Sequence, residues 1–385
     1  MAVFFLHSYL SQNTTKIWHN YIQRESYMKK FIYILCTITL ATPAFACTGI
    51  TLHARDGGVV SARTIDWAKT DTDNIYTIVP RGHVSRSFLP DGTQNGLEFT
   101  AKYGFVGLGP ERPEFVVDGT NEAGLNAGLF YFPDYGEYKK YDEAARDISI
   151  ADLQVVSWIL SNFSTIDEVK SNINNIRVIN IYPDSSTVHW RITEPGGRVV
   201  VMEIINGEPV FHEDEIGAIA NSPSFDWQHT NLNNYVNLRA GTAEPLKLGP
   251  DTLTSFSGGT GLLGLPGDFS SPSRFVRAAF FGNMVDKQQN TESTVPIAFH
   301  ILNNLDVPFG TTYNNGRAPT NMPSGTQWTI ASDLDNKVLY YHTMYNRTIR
   351  KIDMNEINFE TVPFQFSPLD DVKRETMISV QINKE

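Results

Sequence analysis

Two periodicities alternate along the chain, and the points where one gives way to the other mark its elements. Residues 47–53 swap loosely between apolar and polar positions, break at Arg55-Asp56-Gly57-Gly58, and resume the alternation over 59–65. Two such runs around a glycine-rich turn predict a β-hairpin whose first residue is Cys47. From Ser149 the spacing becomes helical, with Leu153, Val156, Trp158, Ile159 and Leu160 as its apolar positions. Thr165 and Glu168 then have the form of a capping box opening a second, short helix. Strands follow over 177–182, 186–193 and 197–205, helices over 273–285 and 293–305, and a closing hairpin over 327–332 and 337–343. Blocks of strands next to blocks of helices predict α+β layering rather than βαβ alternation. Without repeats, low-complexity tracts or a Pro/Ser-rich linker, residues 47–385 read as a single domain.

The residues ahead of this hairpin have a different pattern. Met28-Lys29-Lys30 is a small positive cluster, 31–40 is an apolar run, and Ala44-Phe45-Ala46 has small residues where a signal peptidase reads. Residues 28–46 therefore read as a signal peptide cut after Ala46. The run is far shorter than the roughly 20 residues that span a bilayer, so a stable membrane anchor is not expected. Residues 1–27 read as an upstream extension or a mis-assigned start, with Met28 the natural first residue. The expectation is an exported protein, periplasmic or secreted.

Charge and cysteine content narrow the function classes. Loss of Lys16, Arg24, Glu25, Lys29 and Lys30 with the leader takes the formal net charge from −11 to −14. So acidic a protein repels phosphate backbones and anionic lipid, which argues against nucleic-acid and peripheral membrane partners. Of two cysteines, Cys36 leaves with the leader, so Cys47 becomes both the sole thiol and the first residue. One cysteine and the lack of an HExxH pattern predict no metal site, and no cofactor is expected. Gly259-Thr260-Gly261-Leu262-Leu263-Gly264 matches GxGxxG in letters, but it follows a polar stretch and precedes Pro266-Gly267, so it reads as loop. No GxSxG elbow is present.

A cysteine made N-terminal by cleavage carries two groups that titrate near neutrality, an α-amine with pKa about 8 and a thiol with pKa about 8.5. The amine can take the thiol proton and the thiolate can attack an amide carbonyl. Such chemistry also needs a cation for the thiolate, a carboxylate for the amine and donors for an oxyanion. Arg63 and Asp66, in the returning strand of the hairpin, are candidates for the first two.

Five separated stretches then show a resemblance. Cys47-Thr48, "ARTIDW" at 62–67, "NEAGLNAGL" at 121–129, "ANSPSFDWQ" at 220–228 and "LPGDFSSPSRFVRAAF" at 265–280 resemble, in order, the choloylglycine hydrolase and penicillin V acylase family of N-terminal-nucleophile hydrolases. The likeness continues through "DVPFG" at 306–310 and "YYHTMYNR" at 340–347. It implies a four-layer αββα sandwich with the nucleophile at the start of a central strand. It further implies Cys47 as nucleophile, Arg63 as the arginine beside its sulfur and Asp66 as the carboxylate holding the α-amine. Asn221 would be the side-chain oxyanion donor and Arg274 the second active-site arginine. The backbone N–H of Tyr131 matches the second oxyanion donor, with Phe130 as the alternative one residue earlier.

The implied activity is hydrolysis of a linear, non-peptide amide through a thioester. Trp67, Phe130 and Tyr131 would line the acyl pocket, which favours penicillin V or another aryl or fatty acyl amide. Conjugated bile salts and N-acyl homoserine lactones are the alternatives. The resemblance also implies a small-molecule substrate, signal peptidase as the maturing partner and a homotetramer. Two other readings stay open at this level: a lipoprotein modified on Cys47, and a non-catalytic binding protein of the same fold.

Overall fold

The computed structural model describes residues 46–67, 72–182, 186–312 and 325–382. The extension and leader expected before residue 46 lie outside them. Two sheets face each other with helices on their outer sides. The first has six strands: β1 (Ala46–His53), β2 (Val59–Trp67), β10 (Ala218–Ile219), β11 (Gly325–Asp333), β12 (Val338–Thr343) and β13 (Arg350–Asp353), in the order β10-β1-β2-β11-β12-β13. The second has eight: β3 (Asn74–Val79), β4 (Phe105–Pro110), β5 (Asp118–Asn121), β6 (Asn126–Tyr131), β7 (Val188–Thr193), β8 (Val199–Ile205), β9 (Glu208–Glu213) and β14 (Gln365–Pro368), in the order β9-β8-β7-β6-β5-β4-β3-β14. Helix α1 (Val155–Asn162) covers the second sheet at β5 and β6, and α2 (Ile166–Asn172) follows it. Helix α3 (Phe225–Asn231) leads from β10, and α4 (Ser271–Met284) and α5 (Thr291–Asn303) cover the first sheet. The layering is the expected αββα sandwich.

The hairpin at Cys47 forms as its alternation predicts, with all eight residues of β1 paired to β2 and Gly49 opposite Arg63. The capping box is present too: Glu168 N–H donates to Thr165 Oγ1 and Thr165 N–H to Glu168 Oε2, both at 3.2 Å. Two expectations need correction. Ser149 does not open a helix; residues Ser149–Ala151 form a short strand parallel to Arg177–Ile179, and α1 starts only at Val155. The strand expected over 177–182 ends at Ile179.

Strands β4–β6 carry little signal in the sequence. They lie in the middle of the eight-stranded sheet, and nearly every residue in them is buried on one face or the other. Strands covered on both sides lose the alternation that marks a half-exposed strand, so β1 and β2, equally buried, are legible through the Arg55-Asp56-Gly57-Gly58 turn between them.

Where the two sheets meet below Cys47, the space is full. A Cβ at Gly49 would stand 2.6 Å from Arg191 Nη1, 2.7 Å from Ile219 Cγ2 and 2.9 Å from Phe130 Cζ. Overpacking of this kind costs roughly 1–3 kcal/mol. Gly49→Ala should lower the free energy of unfolding by that amount, read as a shift in urea midpoint at constant slope; an unchanged midpoint would show that the sheets can part here.

Candidate active site

β10 stops at Ile219 after pairing with Gly49 and Ile50. Continued by two residues, this ladder would set Asn221 against Cys47, and there the side chain of Asn221 takes over from the missing strand. Cys47 N–H donates to Asn221 Oδ1 at 2.7 Å. Arg274 Nη2 donates to the same oxygen at 2.8 Å. Two donors on one atom fix the amide orientation, so Nδ2 points the other way, where it donates to the Tyr131 carbonyl at 2.8 Å. The Asn221 backbone is pinned as well, its N–H donating to Ser271 Oγ at 2.9 Å and its carbonyl accepting from Gln228 Nε2 at 3.2 Å.

Arg274 enters from the first turns of α4 and is fully buried. Its Nη1 donates to the Cys47 carbonyl at 2.5 Å and to Thr48 Oγ1 at 2.6 Å, and its Nε to the Phe269 carbonyl at 3.0 Å. Burial lowers its pKa, while Asp66 and then Cys47 pull it back up. A guanidinium keeps its charge under such a shift, so it presents a fixed cation to the main chain of Cys47.

Arg63 and Asp66 stand three positions apart on one strand, so the two-residue period turns them to opposite faces. Arg63 shares the inter-sheet face with the side chains of Cys47 and Ile65. Its guanidinium lies 4.0 Å over the Phe130 ring and donates to the Leu129 carbonyl at 2.5 Å. Asp66 is on the helix-covered face with Arg274, paired in the ladders with Ala46 and Thr326. Its Oδ1 accepts from Thr326 Oγ1 at 2.5 Å, whereas its buried Oδ2 has no hydrogen-bond partner among the described residues. Burial drives this carboxyl up to about 7, against the opposing pull of Arg274 and the Thr326 hydroxyl.

The two neighbours proposed for the second oxyanion donor differ in direction. Phe132 N–H donates to Thr187 in the β7 direction, and Leu129 N–H donates to Val117 in the β5 direction. Successive amides of a strand point to alternate sides, so the N–H of Phe130 points to β7 and that of Tyr131 to the other side. Tyr131 also carries the carbonyl that binds Asn221, and N–H and C=O of one strand residue share a side. Phe130 is instead a wholly buried ring beneath Arg63. That removes it from the pocket wall where its aromatic character had placed it. Tyr131 itself is partly exposed and its hydroxyl donates to Ser186 Oγ at 2.8 Å; Trp67, at the end of β2, is partly exposed.

Sequence reading had no means of finding Thr326, whose role comes only from packing, and although Gln228 closes the quoted 220–228 stretch, nothing there points to its bond with the Asn221 carbonyl. Ser271 lies in the quoted 265–280 stretch, but nothing in that stretch points to a bond with Asn221 fifty residues earlier. Among the described residues no group of three or more His, Cys, Asp or Glu is arranged to hold a metal, and no helix is long and apolar enough to cross a membrane.

The model of the linear amide C–N hydrolases, choloylglycine hydrolase family, matches residues 47–367. The chain belongs to this family. A bile salt hydrolase/transferase of Clostridium perfringens is 35% identical over 323 residues, covering 82% of this chain and 94% of that protein. One from Lactiplantibacillus plantarum is 32% identical over 330 residues, 84% of this chain and 97% of the relative. Among solved structures, the C2A mutant of the conjugated bile acid hydrolase from Clostridium perfringens superposes with a TM-score of 0.73 at 31% identity, covering 87% of this chain and all of that one. Penicillin V acylase from Agrobacterium tumefaciens superposes at 0.67 with 23% identity, over 84% and 91% of the two chains, a likeness of fold. As a choloylglycine hydrolase family member, the protein is a linear amide C–N hydrolase.

The Asp66 carboxyl makes a testable pH signature while residues before Cys47 are still attached. Its folded-state pKa of about 7 lies above its ordinary value of 3.8, so the folded chain holds this proton more tightly than the unfolded chain. The resulting stability is complete below about pH 4 and is lost as pH rises through about 7. Asp66→Asn should gain on the parent steadily between about pH 4 and 8 in urea unfolding of the uncut chain; a pH-independent difference would contradict the assignment.

Proposed function

We propose that this family member uses Cys47 as an N-terminal nucleophile after cleavage of the Ala46–Cys47 bond during export. The observation that carries the reading is the convergence on the main chain of Cys47. Asn221 and Arg274 hold its N–H and carbonyl, and Asp66, whose Oδ2 has no hydrogen-bond partner among the described residues, is paired in the ladder with Ala46, the residue that cleavage would remove. Cleavage would turn the Cys47 amide into an amine near a carboxyl whose Oδ2 has no hydrogen-bond partner among the described residues. An ammonium there would bring Asp66 back into its ionised form.

In the proposed cycle the amine accepts the thiol proton and the thiolate adds to the substrate carbonyl, with Arg63 on the sulfur's face of the sheet. The second hydrogen of Asn221 Nδ2 and the backbone N–H of Tyr131 bind the oxyanion. Collapse breaks the C–N bond, the ammonium protonates the departing amine, and a thioester remains. Water then gives its proton to the same amine, adds to the thioester carbonyl, and the acid leaves as the thiol re-forms. Arg274 and Asp66 hold the amine and its residue in place throughout.

For the substrate, the curated relatives favour a conjugated bile salt, since proteins named for that activity align along nearly their whole length. A second reading, an aryl acyl amide such as penicillin V, draws on the half-exposed Tyr131 ring fixed by Ser186 beside the proposed oxyanion site. Initial rates on glycocholate, taurocholate, penicillin V and an N-acyl homoserine lactone rank these directly, and a penicillin V rate above both bile salts would reverse the preference. Cys47→Ala should abolish turnover of every substrate. Asn221→Ala should slow it by about a hundredfold or more, the loss of one oxyanion donor being worth on the order of 3 kcal/mol; a change under threefold would remove Asn221 from the mechanism. The mass of the mature protein's first peptide tests the processing, because an acyl or diacylglyceryl adduct on Cys47 would exclude a free amine.

A further inference from the structure

We propose that His189 and Glu203, which touch neither Cys47 nor the reacting atoms in the scheme above, form a buried brace that positions both oxyanion donors at once. The inference rests on the assignment of Asn221 and the Tyr131 backbone to that role.

His189 is in β7, opposite Phe130 in the ladder with β6. Its Nε2 is 2.9 Å from the carbonyl of Ala220. A carbonyl only accepts, so this nitrogen carries the hydrogen and donates it to the residue immediately before Asn221. The ring stacks on Phe132, with centroids 4.4 Å apart and planes 8° from parallel, and stands edge-on to Phe130 at 6.1 Å. Phe130 and Phe132 are the two neighbours of Tyr131. One imidazole thus touches the chain beside each donor.

Glu203 in β8 fixes that imidazole from behind and extends the hold to the far side of Asn221. Its Oε1 is 3.3 Å from His189 Nδ1 and accepts the N–H of Phe225, the first residue of α3, at 2.8 Å. The segment from Ala220 to Phe225, which contains Asn221, is therefore tied at both ends to the same carboxylate, once through His189 and once directly. Glu203 Oε2 lies 3.3 Å from His212 Nε2 in β9, and His212 Nδ1 is 3.0 Å from the exposed Asp226. Glu203 is only 1% exposed. Burial acts to raise its pKa, but the contacts with His189 and His212 together outweigh this and hold the carboxyl down at about 2. A buried, ionised carboxylate with two contacts on Oε1 and an imidazole 3.3 Å from Oε2 is a rigid support, whereas an unpaired one would be strongly unfavourable.

Partners that orient a reacting group without touching substrate typically account for about 10–100-fold when removed, by analogy with the outer shell of metal sites. Glu203→Gln keeps the shape and removes the charge; His189→Phe keeps the stack on Phe132 and removes the donor to Ala220. Each should lower kcat about 10–100-fold with KM within about threefold. The rate of Cys47 alkylation by iodoacetamide, read by peptide mass, should stay within about twofold, because displacement of iodide forms no oxyanion. His212→Gln, altered one step further from Asn221 where Nδ1 faces the exposed Asp226, should give a smaller kcat loss of about threefold with alkylation again unchanged. The brace is overturned if hydrolysis and alkylation fall in parallel, which is what a general loss of folded protein produces. It is equally overturned if kcat stays at the parental value in Glu203→Gln. The two levels separate cleanly: a fast Asn221→Ala enzyme refutes the donor assignment, whereas a slow Asn221→Ala enzyme beside a fast Glu203→Gln enzyme refutes the brace alone.

Discussion

The site depends on a strand that ends early. β10 contributes two paired residues to the first sheet and stops, leaving the main chain of Cys47 without a ladder partner on that side. A buried N–H left in that position would cost about 1–3 kcal/mol, and the Asn221 side chain meets the requirement with Oδ1. The same amide then has Nδ2 directed to the end of β6 in the opposite sheet. One side chain thereby links the two sheets at Cys47, and its geometry is set by Arg274 from the helix layer. Three layers of the sandwich meet in that amide.

How the charges are placed follows from the sheet as well. Because strand residues alternate in direction, Arg63 and Asp66 cannot both face the thiol. The arginine takes the face between the sheets, where Phe130 covers it, and the carboxylate takes the face under α4, where Arg274 stands. The cation proposed for the sulfur and the carboxylate proposed for the nitrogen are kept apart by the sheet itself, so they do not neutralise each other. A direct pair between them would satisfy both and serve neither atom of Cys47.

Legibility in the sequence followed local turn and cap signals. The Cys47 hairpin is buried on both faces, but Arg55-Asp56-Gly57-Gly58 marks its turn, and the capping box at Thr165 and the apolar spacing of the helix carrying Arg274 are equally local. β4–β6, also buried on both faces, were picked out by neither alternation nor a turn, and they include Tyr131. The motif order named Cys47, Arg63, Asp66, Asn221 and Arg274, each in a distinctive stretch, and the fold brings their strands and helix together. It could not separate Tyr131 from Phe130, because neighbouring aromatics look alike until the pleat gives each a direction. His189 and Glu203 were invisible for another reason: a histidine and a glutamate fourteen positions apart on two strands carry no spacing signal, and only the antiparallel pairing of β7 with β8 brings them together.

The grip of Arg274 on the carbonyl of Cys47 has a consequence for motion. A chain terminus ordinarily frays, and a reactive group placed there would be found in its working geometry only part of the time. Here the first residue of a cleaved chain would still be held through its C=O by a buried guanidinium and through β2 by the ladder, with neither restraint passing through the bond that is cut. The orientational entropy of the proposed nucleophile is thus lost once, when the sandwich folds, and no part of it would have to be lost again at each encounter with substrate.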